Sequence, residues 1–70
     1  EGNVPLSRAQ TRELQAELNA LGYDSGQPDG LAGPNTRRAL RDFQRANRLD
    51  ADGYVGTSAY EAVMAAGARK

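Results

Sequence analysis

One short stretch constrains the fold more than any other, and it reads Asp29-Gly30-Leu31-Ala32-Gly33-Pro34-Asn35-Thr36. Its two glycines can adopt positive φ angles without steric cost, so we expect the backbone to turn sharply at Gly30 and again at Gly33. Pro34 suits the first turn of a helix, where a missing N–H costs nothing. The stretch therefore predicts a loop that leads directly into a central helix.

The chain carries a weaker second copy of this stretch. Asp29-Gly30-x-x-Gly33 recurs as Asp52-Gly53-x-x-Gly56, and an alanine followed by an aliphatic residue comes at the same offset after each copy. Leu14-Gln15 and Phe43-Gln44 match upstream, although the loop after the second pair is shorter. We interpret this as a helix–loop–helix unit used twice with the central helix shared, because two copies are too few for a solenoid.

Helix 1 is predicted at about residues 7–21. Ser7-Arg8-Ala9-Gln10 matches a capping box at its start. Leucines at positions i, i+4 and i+7 then form an apolar stripe, Leu14, Leu18 and Leu21. Gly22 suits the left-handed position that follows a helix, and Tyr23 can cover the helix end.

Helices 2 and 3 are predicted at about residues 34–47 and 57–66, and Ser58-x-x-Glu61 suggests a second capping box. No strand of useful length is predicted. The expected fold class is all-α, a small three-helix orthogonal bundle over residues 6–66, with a linker at residues 1–5 and a tail at residues 67–70. We expect six side chains to meet in one core: Leu14, Leu18, Leu31, Leu40, Phe43 and Val63.

The composition excludes several classes of function. The 70 residues include no cysteine and no histidine, so the usual zinc sites lack ligands and a histidine-activated nucleophile cannot form. The formal net charge of zero argues against nucleic-acid or membrane-surface binding driven by net charge. No apolar run approaches the roughly 20 residues of a membrane span. We therefore predict a binding module with no catalytic residues, no metal and no cofactor.

Two acidic patterns have simple interpretations. Glu13 and Glu17 are an i, i+4 pair on one exposed helix face, whereas a glycosidase needs two carboxyls on opposite sides of a bond. The aspartate–glycine loops fail the ligand spacing of a calcium-binding EF-hand in both registers. Asp29 and Asp52 are instead expected to make Asx turns with nearby backbone N–H groups.

The second helix carries a stripe of arginines, and its role stays open at the level of sequence. Arg37, Arg41, Arg45 and Arg48 share one face, with Arg38 beside it. The stripe fits a solvated surface, and it also fits a rim that attracts carboxylates or phosphates. A helix-turn-helix needs a turn of 3–4 residues, and both loops here are longer.

Two glutamines and two tyrosines stand at the edges of the expected core. Gln15 and Gln44 each follow a core residue, and we expect them to hydrogen-bond the loop backbones. Tyr23 and Tyr54 each follow a glycine on a loop, where a ring can cover the core or stack on a sugar or a peptide. The sequence leaves these two roles open.

Taken together, these motifs resemble the peptidoglycan-binding domain family, three-helix modules attached to bacterial cell-wall enzymes. The opening Leu6-Ser7-Arg8-Ala9 and Asp52-Gly53-Tyr54 are most similar to the module at the C-terminus of lytic murein transglycosylases. The matching segments cover nearly the whole chain: Leu14-Gln15-x-x-Leu18-x-x-Leu21-Gly22-Tyr23, Asp29-Gly30-Leu31-x-Gly33-Pro34-x-Thr36-Arg37-x-Ala39-Leu40, Phe43-Gln44, Leu49 and Asp52-Gly53.

The resemblance implies a non-catalytic function. The module would bind cell-wall peptidoglycan as a monomer, through its stem peptide or its glycan, and would target an attached wall-lytic enzyme in the bacterial envelope, periplasmic or secreted. Two alternatives remain: a protein–protein docking domain or pro-domain of the same fold, and a trihelical nucleic-acid-binding domain. The sequence departs from the family where Arg48 replaces a frequent glycine, and we expect Asn47 to take the left-handed conformation there.

The expected ligand site is the 29–37 loop and the adjoining face of helix 2. Free N–H groups and the positive end of the helix dipole favour an anion at this helix start, and stem peptides carry several carboxylates. Tyr23 or Tyr54 would form an apolar wall, whereas Asp29 would shape the loop. The predicted binding residues are Tyr23, Asp29, Gly30, Leu31, Gly33, Asn35, Thr36, Arg37, Arg41, Gln44 and Tyr54.

Overall fold

The chain folds into three α-helices joined by two long loops. A computed structural model describes residues 4–69 and contains α1 (Arg8–Ala20), α2 (Pro34–Ala46) and α3 (Thr57–Ala68). Within those residues the only β-type pairing is one isolated bridge between Pro5 and Gly56. None of the three helices is both long enough and apolar enough to cross a membrane. The predicted all-α three-helix fold is confirmed.

Both ends of α1 follow the sequence prediction. The Gln10 backbone N–H donates to Ser7 Oγ at 3.2 Å, and the Ser7 N–H donates to Gln10 Oε1 at 3.1 Å, which completes the capping box. At the other end Gly22 has a φ of +99°, and the Tyr23 N–H reaches back to the Leu18 carbonyl at 2.8 Å. This is a Schellman motif, which satisfies carbonyls that the helix leaves unpaired.

The ends of α2 differ from the prediction in two places. Pro34 is its first residue, as expected, but Gly33 has a φ of −94° and makes no left-handed turn. At the C-terminus the residue in the left-handed region is Arg48, with a φ of +61°, whereas Asn47 stays at −106°. The expectation for Asn47 was wrong because Arg48 is the residue after the C-cap, where the Schellman geometry requires positive φ.

α3 begins at Thr57 as predicted, but its N-cap and its end correct the prediction. Its N-cap is Gly56, with no side-chain cap, so Ser58 and Glu61 do not form a second capping box. The helix continues to Ala68, two residues into the predicted tail. The Thr57 N–H donates to the Val4 carbonyl at 3.0 Å, which fixes the chain before α1 against α3. Residues 1–3 of the expected linker and residue 70 of the expected tail lie outside the described residues.

Five of the six predicted core side chains are buried, and Leu31 is not. The five meet in one cluster with two alanines: Leu14, Leu18, Leu40, Phe43, Val63, Ala39 and Ala59. The Leu31 side chain is 59% exposed, so its predicted place in the core was wrong. Its backbone is held instead, because the Leu31 carbonyl accepts from Gln15 Nε2 at 2.9 Å. The Tyr23 ring packs edge-on against Phe43, with centroids 5.8 Å apart, and so covers the core.

Candidate functional site

A buried glutamine organises each of the two loops. Gln15 is 1% exposed, and its Oε1 accepts the Gly30 N–H at 2.9 Å. Its Nε2 donates to the Leu31 carbonyl and to Thr36 Oγ1, both at 2.9 Å. One side chain of α1 therefore fixes the loop and the first turn of α2 in place.

Gln44 does the same for the second loop. Its Oε1 accepts the Gly53 N–H at 3.0 Å, and its Nε2 donates to Asp52 Oδ1 at 3.2 Å. Gly30 and Gly53 have φ angles of +85° and +65°, so the two turns are equivalent, as the pseudo-repeat predicts. The expectation that Gln15 and Gln44 hydrogen-bond the loop backbones is confirmed.

Each aspartate at the start of a turn accepts the N–H two residues ahead. The Leu31 N–H donates to Asp29 Oδ1 at 2.9 Å, and the Tyr54 N–H donates to Asp52 Oδ1 at 3.0 Å. These backbone bonds, helped by the glutamine amides, lower the pKa of both carboxyls from the ordinary value of 3.8. Both predicted Asx turns are present, and Asp29 shapes its loop as expected.

The pseudo-repeat produces two surface hollows, one beside each turn. The smaller has a volume of about 150 Å³ and lies where the first loop enters α2. The larger has a volume of about 290 Å³ and lies where the second loop enters α3. The smaller hollow is lined by Gln15, Ser25, Gly26, Gln27, Asp29, Leu31, Gly33, Pro34, Asn35 and Thr36. The larger is lined by Gln44, Leu49, Asp50, Asp52, Tyr54, Ser58, Ala59 and Ala62.

The predicted binding residues are divided between these places. Five of them line the smaller hollow: Asp29, Leu31, Gly33, Asn35 and Thr36. Gln44 and Tyr54 line the larger hollow, and Tyr23 lies on the core. Gly30 is buried in its turn. The structure therefore does not bring Tyr23 or Tyr54 into the lining of the smaller hollow as the expected apolar wall.

The two predicted arginines lie next to the loops. Arg37 is exposed, and its Nη1 donates to the Ala32 carbonyl at 2.9 Å, one residue before the N-cap Gly33. Arg41 lies against the second loop, where a Cβ added to Gly53 would come within 2.9 Å of its Cγ. Since Gly33 has no side chain to cap α2, the first turn of that helix faces the smaller hollow without a side-chain acceptor.

Some residues of these surfaces were missed by the sequence analysis. Ser25 is 3% exposed and donates through its Oγ to the Gln15 carbonyl at 2.9 Å, while Asn19 Oδ1 accepts its N–H at 2.8 Å. The wall of the larger hollow formed by Leu49 and Asp50 was not predicted either. The shorter second loop was the signal that could have indicated a larger hollow there. Among residues 4–69 no group of acidic side chains is arranged to hold a metal ion.

Comparison with known proteins places this architecture in a family. Residues 7–63 match the family model described as "Putative peptidoglycan binding domain". A spore cortex-lytic enzyme from Oceanobacillus iheyensis is 39% identical over 54 residues, which are 77% of this chain and 20% of the relative.

Solved structures give the same result. SltB3 from Pseudomonas aeruginosa in complex with NAG-anhNAM-pentapeptide superposes with a TM-score of 0.83 and 43% identity, over 90% of this chain and 17% of that one. Its complex with NAG-NAM-pentapeptide gives 0.82 and 44%, over 89% and 17%. The chain thus spans a fifth or less of the length of these relatives. With three helices, two glutamine-held loops and a family match over residues 7–63, the chain belongs to the peptidoglycan binding domain family.

Proposed function

We propose that this domain binds bacterial cell-wall peptidoglycan without catalysing its breakdown, and that it tethers a wall-lytic enzyme to its substrate. The single observation that carries this proposal is the family match over residues 7–63. The two relatives support it, because one is named a cortex-lytic enzyme and the other was solved with peptidoglycan fragments. A tether of this kind raises the local concentration of an attached enzyme on an insoluble polymer.

The domain acts as a monomer in the bacterial envelope, either in the periplasm or after secretion, and the proposed ligand is the stem peptide of peptidoglycan. Affinity for a single peptide is modest, because a shallow surface on a small domain buries little of a ligand. Purified domain incubated with peptidoglycan is expected to release no soluble muropeptides. Release of such fragments would contradict the non-catalytic role.

The proposed contact surface is the smaller hollow with Arg37. The first turn of α2 has no side-chain cap, so a ligand carboxylate can accept its N–H groups and complement the helix dipole. Arg37 uses Nη1 on the Ala32 carbonyl, and a guanidinium has five N–H donors in all, which leaves others for the ligand. Asn35 and Thr36 line the same hollow.

The test of this surface is a pair of matched arginine variants. Arg37→Ala is expected to weaken muropeptide binding by about 1–3 kcal/mol through the loss of a charge-assisted hydrogen bond. Arg45→Ala removes the same charge from the far end of α2, where Arg45 forms an exposed pair with Asp42 at 3.3 Å. This control is expected to bind normally, and both variants should keep their thermal midpoints. Equal affinity for the two variants would remove Arg37 from the proposed site.

A further inference from the structure

An arginine covers the turn glycine in each half of the pseudo-repeat, but the two arginines are bound differently. In the first half, the Arg8 side chain packs so closely on Gly30 that an added Cβ would meet its Cγ. Arg8 also donates through Nε to the Asp29 carbonyl at 3.2 Å. This arginine is therefore held by a hydrogen bond to the loop that it covers.

In the second half, Arg41 covers the turn glycine without such a bond. A Cβ added to Gly53 would come within 2.9 Å of Arg41 Cγ and 3.0 Å of its Nη1, so the guanidinium lies on the turn. Within residues 4–69 this guanidinium makes no hydrogen bond and no ion pair. Arg41 is nevertheless half-buried. The other arginines of the stripe are exposed: Arg37, Arg38, Arg45 and Arg48.

The register of the repeat explains why the donors of Arg41 are unused. A Cβ added at Gly30 would approach the Arg8 carbonyl, and one added at Gly53 would approach the Arg37 carbonyl, so Arg8 and Arg37 are counterparts. The Arg37 side chain does not cover the second turn, because its Nη1 donates to the Ala32 carbonyl of the first loop at 2.9 Å. Arg41, one helical turn later, covers it instead. Each loop thus positions one guanidinium of α2.

The charges of these two guanidiniums are not offset by an acidic side chain. Within residues 4–69, the ion pair of the stripe joins Arg45 to Asp42 at 3.3 Å, and neither Arg37 nor Arg41 pairs with a carboxylate. Arg37 and Arg41 stand four positions apart on α2, a spacing at which like charges repel each other. A ligand with two negative groups relieves this repulsion and uses donors that the protein leaves free.

We propose that Arg37 and Arg41 bind two carboxylates of one stem peptide, so that the domain prefers peptides with free carboxylates to peptides whose carboxyls are amidated. The planar guanidinium matches the geometry of a carboxylate and forms strong, charge-assisted hydrogen bonds with it. The loops position both side chains before the ligand arrives, which lowers the entropic cost of binding. This inference rests on the proposed function, because it takes the stem peptide as the ligand.

The experiment compares two probes, the NAG-NAM-pentapeptide and the same molecule with its carboxyls converted to carboxamides. Both are titrated into isotopically labelled domain, and affinities are taken from the amide shifts. A hydrogen bond to a charged group contributes about tenfold or more in affinity, so the loss of two is expected to weaken binding about a hundredfold. Equal affinity for the two probes would overturn the proposal.

A matched pair of variants assigns one of the carboxylates to Arg41. Arg41→Gln keeps part of the side chain that packs on Gly53 and removes the charge. In this variant the carboxamide probe is expected to bind only about tenfold more weakly than the free acid, because one of the two ionic contacts is already lost. Arg45→Gln makes the same change one turn further along α2, at an exposed position, and is expected to keep the full difference between the probes. The full difference in Arg41→Gln as well would show that no carboxylate contacts Arg41.

The arginine side-chain signals of the unsubstituted domain give a readout that depends on no variant. The free-acid probe is expected to shift the Nε–H signals of both Arg37 and Arg41, and the carboxamide probe is expected to shift them less. A shift at Arg37 alone would overturn the proposal, since a single carboxylate would then be recognised. Circular dichroism checks that the variants fold, and these signals decide the question if Arg41→Gln does not.

A failure of this inference can be distinguished from a failure of the proposed function. If the two probes bind equally and the domain still sediments with insoluble peptidoglycan, the recognition of two carboxylates is wrong and the proposed function stands. If the unsubstituted domain binds neither probe and stays in solution with insoluble peptidoglycan, both proposals fail.

Discussion

The two buried glutamines allow a quantitative test of how the loops are held. Replacing Gln15 with methionine keeps the length of the side chain and removes its amide group. Three hydrogen bonds are lost, those to the Gly30 N–H, the Leu31 carbonyl and Thr36 Oγ1, each 2.9 Å long. The further contact to Asp29 Oδ1 measures 3.5 Å and is too long to add much.

The magnitude follows from the number of bonds. A hydrogen bond in a folded protein contributes about 1 kcal/mol net, so Gln15→Met is expected to cost about 3 kcal/mol of unfolding free energy. A core this small typically supports only about 3–5 kcal/mol in total, so the variant should be close to unfolding. Gln44→Met is the matched control, because Gln44 makes two such bonds, to Gly53 and Asp52, and is expected to cost about 2 kcal/mol.

Urea denaturation followed by far-ultraviolet circular dichroism measures both values. The midpoints are expected to fall in the order unsubstituted domain, Gln44→Met, Gln15→Met, with unchanged slopes, because the surface exposed on unfolding stays the same. A loss below about 1 kcal/mol for Gln15→Met, or a loss for Gln44→Met that exceeds the loss for Gln15→Met, would show that the number of hydrogen bonds at the buried amide does not set the cost.

The remaining predictions concern the core, the turns and pH. Phe43→Ala is expected to cost about 3–5 kcal/mol, whereas Leu31→Ala at an exposed position should cost less than about 0.5 kcal/mol, both from urea curves. Gly30→Ala should destabilise by more than about 1 kcal/mol, because a Cβ at φ +85° would come within 2.8 Å of a backbone oxygen of α1; Gly33→Ala, with open space around it, is expected to be tolerated. The pKa of Asp29 is lowered in the folded state, so the ionised carboxyl adds to the free energy of unfolding. This stabilisation is present above pH 3.8 and is lost as the pH falls through the folded-state pKa. Urea midpoints measured from neutral to acidic pH should fall less steeply for Asp29→Asn.

The helices and most of the core could be predicted because they depend on local patterns. The Ser7–Gln10 capping box and the leucine spacing of α1 need no knowledge of the rest of the chain. The prediction that Gly30 and Gly53 lie in equivalent turns is also confirmed, since both have positive φ angles. Each of these glycines follows an aspartate in the same short motif. These features depend on residues that are close together in the chain, so they can be predicted from the sequence alone.

The error at Leu31 has a physical cause that composition does not reveal. An isolated leucine in a loop was expected to enter the core, yet its side chain is exposed while its N–H and carbonyl are bound by Asp29 and Gln15. Tyr54 occupies the equivalent position and is exposed too. In each loop the Asx turn binds the backbone of the residue two positions after the aspartate, and the side chain of that residue is exposed. The pseudo-repeat was the signal available in the sequence, because it pairs Leu31 with Tyr54.

The sequence could not show that the predicted binding residues would be divided between two hollows. Asn35, Thr36 and Gln44 lie on one helix, but the first two line the smaller hollow and the third lines the larger one. Which hollow a residue reaches depends on how each loop folds back against its glutamine. That path depends on contacts between distant parts of the chain, such as the bond from Gln15 to Thr36.

Co-sedimentation of the purified domain with insoluble peptidoglycan tests directly whether the domain binds this polymer. Parallel samples with chitin, cellulose and immobilised DNA supply a glycan without a stem peptide, an unrelated polysaccharide and a polyanion. We expect the domain to sediment with peptidoglycan and to stay in solution with the other three. Retention on DNA, or equal retention on chitin and peptidoglycan, would contradict it.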